Sequence, residues 1–63
     1  MEKVCIYPKD ILKVTGKSER HARTLIRKIK EAFKKQDHQY VSIDEFCIYT
    51  GLSAQSVKET LRN

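Results

Sequence analysis

This chain states one pattern twice within 63 residues, and that leaves few folds open to it. Shifting the sequence by 35 lays residues 6–18 on residues 41–53. Thr15-Gly16-Lys17-Ser18 falls on Thr50-Gly51-Leu52-Ser53, so Thr-Gly-x-Ser is identical in both. Ile6/Val41, Asp10/Glu45, Ile11/Phe46, Leu12/Cys47 and Val14/Tyr49 keep their character, and the match runs on through Ala22/Val57, Ile26/Leu61 and Arg27/Arg62. Two copies are too few for a solenoid. A chain this short forms one domain, residues 1–63, and buries only about 60% of the surface its unfolded form exposes. The repeat therefore implies two similar units, about 4–36 and 40–63, sharing one small core across a pseudo-two-fold axis.

Each unit reads locally as helix, glycine turn, helix. Pro8 suits the first turn of a helix, where its missing N–H is not needed. Ser42 and Glu45 have the spacing of a capping box. Gly16 and Gly51 can adopt the left-handed conformation that ends a helix, and Ser18 and Ser53 are N-cap residues for the next one. The expectation is an all-α fold with helices over 8–15, 18–36, 43–50 and 53–62. The apolar lead-ins Val4–Ile6 and Tyr40–Ser42 are equivalent in the repeat, so the two-fold brings them together as a minimal antiparallel β pair. The expected core is Ile11, Leu12, Leu25, Ile26, Ile29, Phe33, Phe46, Leu52, Val57 and Leu61. Most of the five aromatics (Tyr7, Phe33, Tyr40, Phe46, Tyr49) fall where that core is expected.

Periodicity sharpens the long helix. At about 100° per residue, Ala22, Leu25, Ile26, Ile29, Ala32 and Phe33 make one stripe about 120° wide, the mark of a helix packed on a core. Arg20, Arg23, Arg27, Lys30 and Lys34 share an arc of about 80° beside it. A merely solvated face usually mixes signs, and here Glu19 and Glu31 lie outside the arc. The chain carries 13 Lys and Arg against eight Asp and Glu. Eight of the cations lie in residues 17–35 against Glu19 and Glu31, whereas residues 36–63 are net negative. The natural partner of that central segment is a polyanion.

Other classes find little support. With 40% hydrophobic and 33% charged residues the composition is too apolar for disorder. No apolar run approaches the roughly 18 residues that cross a bilayer. The N-terminal segment lacks the apolar stretch of a signal peptide, so the chain is expected in the cytoplasm, with Cys5 and Cys47 as reduced, buried thiols. His21 is expected at the edge of the core face and His38 in an exposed connection, and the chain has neither the Cys-x-x-Cys nor the His-x₃₋₅-His spacing of a metal site. No phosphate loop, nucleophile elbow or working pair of carboxylates is present, so neither an enzyme nor a cofactor is expected.

The run Glu45 to Leu61 resembles the helix-turn-helix superfamily of DNA-binding domains. Cys47 is the small residue four before the turn glycine, Leu52 the apolar residue after it, and Val57 the core residue six beyond it. Asp10 to Arg27 fits with Gly16, Ala22 and Leu25, but departs at Leu12, which is bulky, and Lys17, which is polar. The resemblance covers about 45 of the 63 residues, and the whole is similar to the short stand-alone helix-turn-helix proteins of bacteria. It implies that the N-terminal part of a second helix meets base edges in the major groove. On the first unit this implicates Ser18, Glu19, Arg20, Arg23, Thr24 and Arg27, with Arg20 and Arg23 suited to guanine and Thr24 to a thymine methyl. Lys17, Arg27, Lys30 and Lys34 suit phosphates. On the second unit it implicates Ser53, Ala54, Gln55, Lys58, Glu59 and Arg62, but Asp44, Glu45 and Glu59 there repel a phosphate backbone. Counterion release dominates affinity, which places the duplex on the first unit.

The implied function is DNA binding by a small transcriptional regulator or mobile-element accessory factor, with double-stranded DNA as partner and no membrane or small-molecule substrate. The competing reading is a protein-interaction or dimerisation module without nucleic-acid binding, and so small a core favours a homodimer. A third reading, non-specific RNA binding through the basic helix, is disfavoured because the chain lacks the stacking aromatics interleaved with basic residues that single-stranded RNA modules use.

Overall fold

The computed structural model describes residues 4–62. Glu2 and Lys3, counted in the charge above, lie outside the described residues. The order is β1 (Cys5–Ile6), α1 (Pro8–Thr15), α2 (Glu19–Ala32), β2 (Val41–Ser42), α3 (Ile43–Thr50) and α4 (Ala54–Leu61). The strands pair antiparallel, with Cys5 opposite Ser42 and Ile6 opposite Val41. This is the expected all-α pair of units with its minimal sheet.

The repeat holds at the level of single hydrogen bonds. Moving Pro8–Thr15 by 35 gives Ile43–Thr50, and the starts of α2 and α4 obey the same shift. The Tyr7 N–H donates to Asp10 Oδ2 at 2.9 Å, and the Ser42 N–H to Glu45 Oε1 at 2.9 Å. Thr15 Oγ1 donates to the Ile11 carbonyl at 2.8 Å, and Thr50 Oγ1 to the Phe46 carbonyl at 2.8 Å. Gly16 and Gly51 are left-handed, at φ 72° and 81°, where a side chain is strained. Ser18 Oγ then accepts from the His21 N–H at 3.1 Å and Ser53 Oγ from the Ser56 N–H at 3.3 Å. Each cap satisfies an N–H that a helix start leaves without an internal partner.

The core is assembled from the same equivalences. Ile6 and Val41, Ile11 and Phe46, and Ala22 and Val57 are all buried, joined by Ile29, Ile43, Cys47 and Leu61. Val14, Leu25, Ile26 and Ala54 pack against this cluster half-buried. Cys5 is half-buried and Cys47 buried, both as free thiols.

Several expectations are corrected, among them Cys5, which is half-buried rather than buried, and Leu12, which is half-buried and outside the buried core cluster. The long helix ends at Ala32, not at residue 36. The Lys35 N–H donates to the Lys30 carbonyl at 2.8 Å and the Lys34 N–H to the Glu31 carbonyl at 3.2 Å, with Lys34 left-handed at φ 56°. That is the double hydrogen bond of a Schellman C-cap, with lysine where glycine is usual. Lys35 is then held to Glu45 at 3.0 Å, so contact with the second unit turns the chain where periodicity alone would extend the helix. Phe33 and Leu52 are surface residues rather than core. Phe33 sits on the cap where the helical wheel no longer applies, and Leu52 occupies the turn position held by exposed Lys17 in the first unit. Tyr7, Tyr40 and Tyr49 are exposed as well, leaving Phe46 as the buried aromatic. The core is filled by aliphatic residues that the lead-ins and short helices supply.

Candidate nucleic-acid interface

The rotation of α2 is set by what it buries. Ala22 and Ile29 are inaccessible and Leu25 and Ile26 half-buried, so this face lies on the core. Arg20, Arg23 and Arg27 are exposed, and Lys30 is half-buried beside them. From Arg20 to Lys30 the helix rises about 15 Å, or about four base steps of one strand.

The candidate residues do not all stand alike. Arg23 Nη2 contacts Glu19 Oε2 at 3.2 Å in an exposed pair, an arrangement that holds a side chain only weakly. Lys30 Nζ donates to the Asp37 carbonyl at 2.8 Å, so it also pins the connection after the helix. Lys34 has left the helical arc and lies exposed on the cap. Lys17 is exposed, with its N–H on Thr15 Oγ1 at 3.1 Å. Ser18 spends its hydroxyl oxygen on capping α2, and Thr24 is half-buried. His21 is exposed rather than at the core edge. In the second unit Ser53 is likewise a cap, Gln55 and Arg62 are exposed, and Lys58 is half-buried. Asp44 and Glu59 are exposed there as well.

Two cations outside the expected set come into play. Lys35 binds Glu45, whose carboxyl is held below its usual range chiefly by the Ser42 N–H and then by Lys35, against a raising effect of burial. Lys9, at the start of α1, shares an open depression of about 510 Å³ with Tyr7, Glu19 and Arg23. A second depression of about 400 Å³ holds Arg23, Arg27, Lys30, Lys35 and Asp37. A third, of about 290 Å³, holds Tyr7, Tyr40, Arg23, Ile26 and Lys30. Arg23 lines all three, so one continuous face combines the α2 ridge with Lys9 and two tyrosines. The periodicity of α2 could not find Lys9 or the tyrosines, because they come from other elements: Lys9 lies on α1, and Tyr7 and Tyr40 flank the paired strands.

Burial pushes the Cys47 thiol up, with Asp44 adding to the effect, so it is not activated as a nucleophile. Among the described residues no three His, Cys, Asp or Glu side chains gather as a metal site would require. No described helix is long and apolar enough to cross a membrane. No family model, curated protein or solved structure matches this chain.

Proposed function

We propose that the chain binds duplex DNA through the outward face of α2, as a small regulator or mobile-element accessory factor acting in the cytoplasm without catalysis. The observation that carries this is the exposed line Arg20-Arg23-Arg27, continued by Lys30, on a helix whose opposite face is locked into the core. A rigid helix presenting a line of cations over about four base steps, with Glu19 paired to Arg23 and Glu31 beside the line, suits a phosphate-lined groove. Arg20 and Arg23 lie nearest its N-terminus and would meet bases, while Arg27, Lys30, Lys17 and Lys34 would meet phosphates.

The test is a titration of duplex DNA at a series of salt concentrations. Three to five neutralised phosphates give a slope of log affinity against log salt of about −3 to −4.5. Changing Arg20, Arg23 and Arg27 together to Ala abolishes binding if α2 is the reader. Intact binding in that variant, with loss in a Gln55→Ala, Lys58→Ala double variant, moves the duplex to α4.

The interaction-module reading has its own support in Ile48, Tyr49 and Leu52. These three apolar residues are close in sequence at the end of α3 and all exposed, Ile48 at 73%. A homodimer formed there would show as concentration-dependent mass in sedimentation, lost in Ile48→Glu.

A further inference from the structure

The two units are built on one frame, so a feature that one end of the pseudo-two-fold has and the equivalent end lacks is not demanded by that frame. The clearest such feature lies at one end of the strand pair. Tyr7 follows β1 and Tyr40 precedes β2, so they sit one step beyond Ile6 and Val41 in the antiparallel register. Their rings meet edge to face, with centroids 5.9 Å apart and planes at 79°. The 35-residue shift carries these two positions onto Ser42 and Cys5, at the other end of the same ladder. The fold is therefore satisfied there without aromatics. The same shift turns Lys9 into Asp44 and Arg20 into Gln55, while Arg23 and Arg27 keep cationic counterparts in Lys58 and Arg62, so the aromatics distinguish the two ends more than the cations do.

Neither ring is spent on the core. Tyr40 is 64% exposed and Tyr7 39%. Between them and α2 lies the depression of about 290 Å³, with Ile26 at its apolar wall and Arg23, Lys30 and Gln39 at its rim. The surface thus offers an aromatic stacking partner, an apolar wall and two cations within one open site. A planar ring carrying a phosphate matches all three, since base stacking on aromatics is indifferent to sequence and the cations take the backbone. A base paired inside the duplex cannot use the site, because both its faces are already covered by its neighbours.

We infer that the Tyr7–Tyr40 depression binds an unpaired nucleotide of DNA, so that the protein prefers a duplex bearing a single-stranded segment over a fully paired one. This rests on the reading of α2 as the duplex-binding face. The ridge holds the paired part, and Arg23, common to both surfaces, lies where the strand leaves the duplex. The exposed Arg23–Glu19 pair is weak enough to be exchanged for a phosphate.

The experiment compares three labelled DNAs by fluorescence anisotropy with the full chain: a blunt duplex, the same duplex with a short single-stranded overhang, and that overhang made abasic. The overhang with bases is expected to bind about five- to a hundred-fold tighter than the blunt duplex, and the abasic overhang to lose most of that gain. Tyr40→Ala removes the preference while leaving blunt-duplex affinity and the melting temperature close to unchanged, because the ring is mostly exposed. Tyr40→Phe keeps the preference. Equal binding of the base-bearing and abasic overhangs overturns the inference and leaves duplex binding standing. Tyr40-dependent binding of the base-bearing overhang DNA while the blunt duplex does not bind supports the stacking site and overturns the duplex reading. Absence of binding to all three DNAs overturns both.

Discussion

Lys34 decides between two descriptions of the same segment, and two substitutions there have opposite rank orders under each. In the structure Lys34 is the left-handed residue of the α2 C-cap, at φ 56°. A side chain in that conformation is strained by about 1–2 kcal/mol, whereas glycine is not. Against this, glycine loses more backbone freedom on folding, by about 0.5–1 kcal/mol. Lys34→Gly is then expected to be more stable than Lys34→Ala by about 0.5–1 kcal/mol. If the helix instead ran on to residue 36, as its periodicity suggests, Ala would exceed Gly by about 0.8–1.0 kcal/mol. Both variants delete the same charge, so the comparison cancels any loss of its favourable interaction with the helix end. Urea unfolding followed by far-ultraviolet circular dichroism resolves the difference, which spans about 1.3–2 kcal/mol between the two cases. An alanine variant more stable than the glycine variant would refute the C-cap and restore Lys34 to the helical ridge. The glycine variant has a second use, because it deletes a candidate phosphate contact without harming the fold. A salt slope flatter by about one unit would place Lys34 on a phosphate.

Ile29 is fully buried, and Ile29→Ala should cost about 2–4 kcal/mol. Domains of this size hold only about 3–9 kcal/mol in total, so a melting temperature that stays put would remove Ile29 from the core. Gly51→Ala meets no atom within 4 Å of the added methyl, so its destabilisation, about 1 kcal/mol, should come from the left-handed φ alone, and Gly16→Ala should match it in thermal melts. The carboxyl of Glu45 titrates lower in the folded chain than in the unfolded one. Its contribution is therefore present above the ordinary carboxylate range and lost as pH falls through the lowered value. Glu45→Gln should flatten the acid side of the stability profile below about pH 4, and an unchanged profile would discount the Ser42 and Lys35 contacts.

Much of the fold was legible because the chain repeats itself. Local signals such as Pro8, the Ser42–Glu45 box and the two Thr-Gly-x-Ser turns each name a helix boundary, and their recurrence at one spacing makes them mutually confirming. The two-fold that follows also sets the strand register, since Ile6 and Val41 are equivalent and must meet. Lys17 already marked the position of Leu52 as a surface site.

The candidate interface was legible only along α2, where a single helix orders its own side chains by period. Where α2 stops was a tertiary matter: Lys35 meets Glu45 across the two units, and the cap closes with a left-handed lysine that no local propensity favours. The tyrosines show the same division. Their apolar character argued for the core, but the aliphatic residues fill it first, and strand pairing sets Tyr7 against Tyr40 outside. Spacing along the chain determined which residues share a helix face. Only the meeting of the two units decided which aromatics stayed exposed beside Arg23 and Lys30, because that contact joins segments more than thirty residues apart.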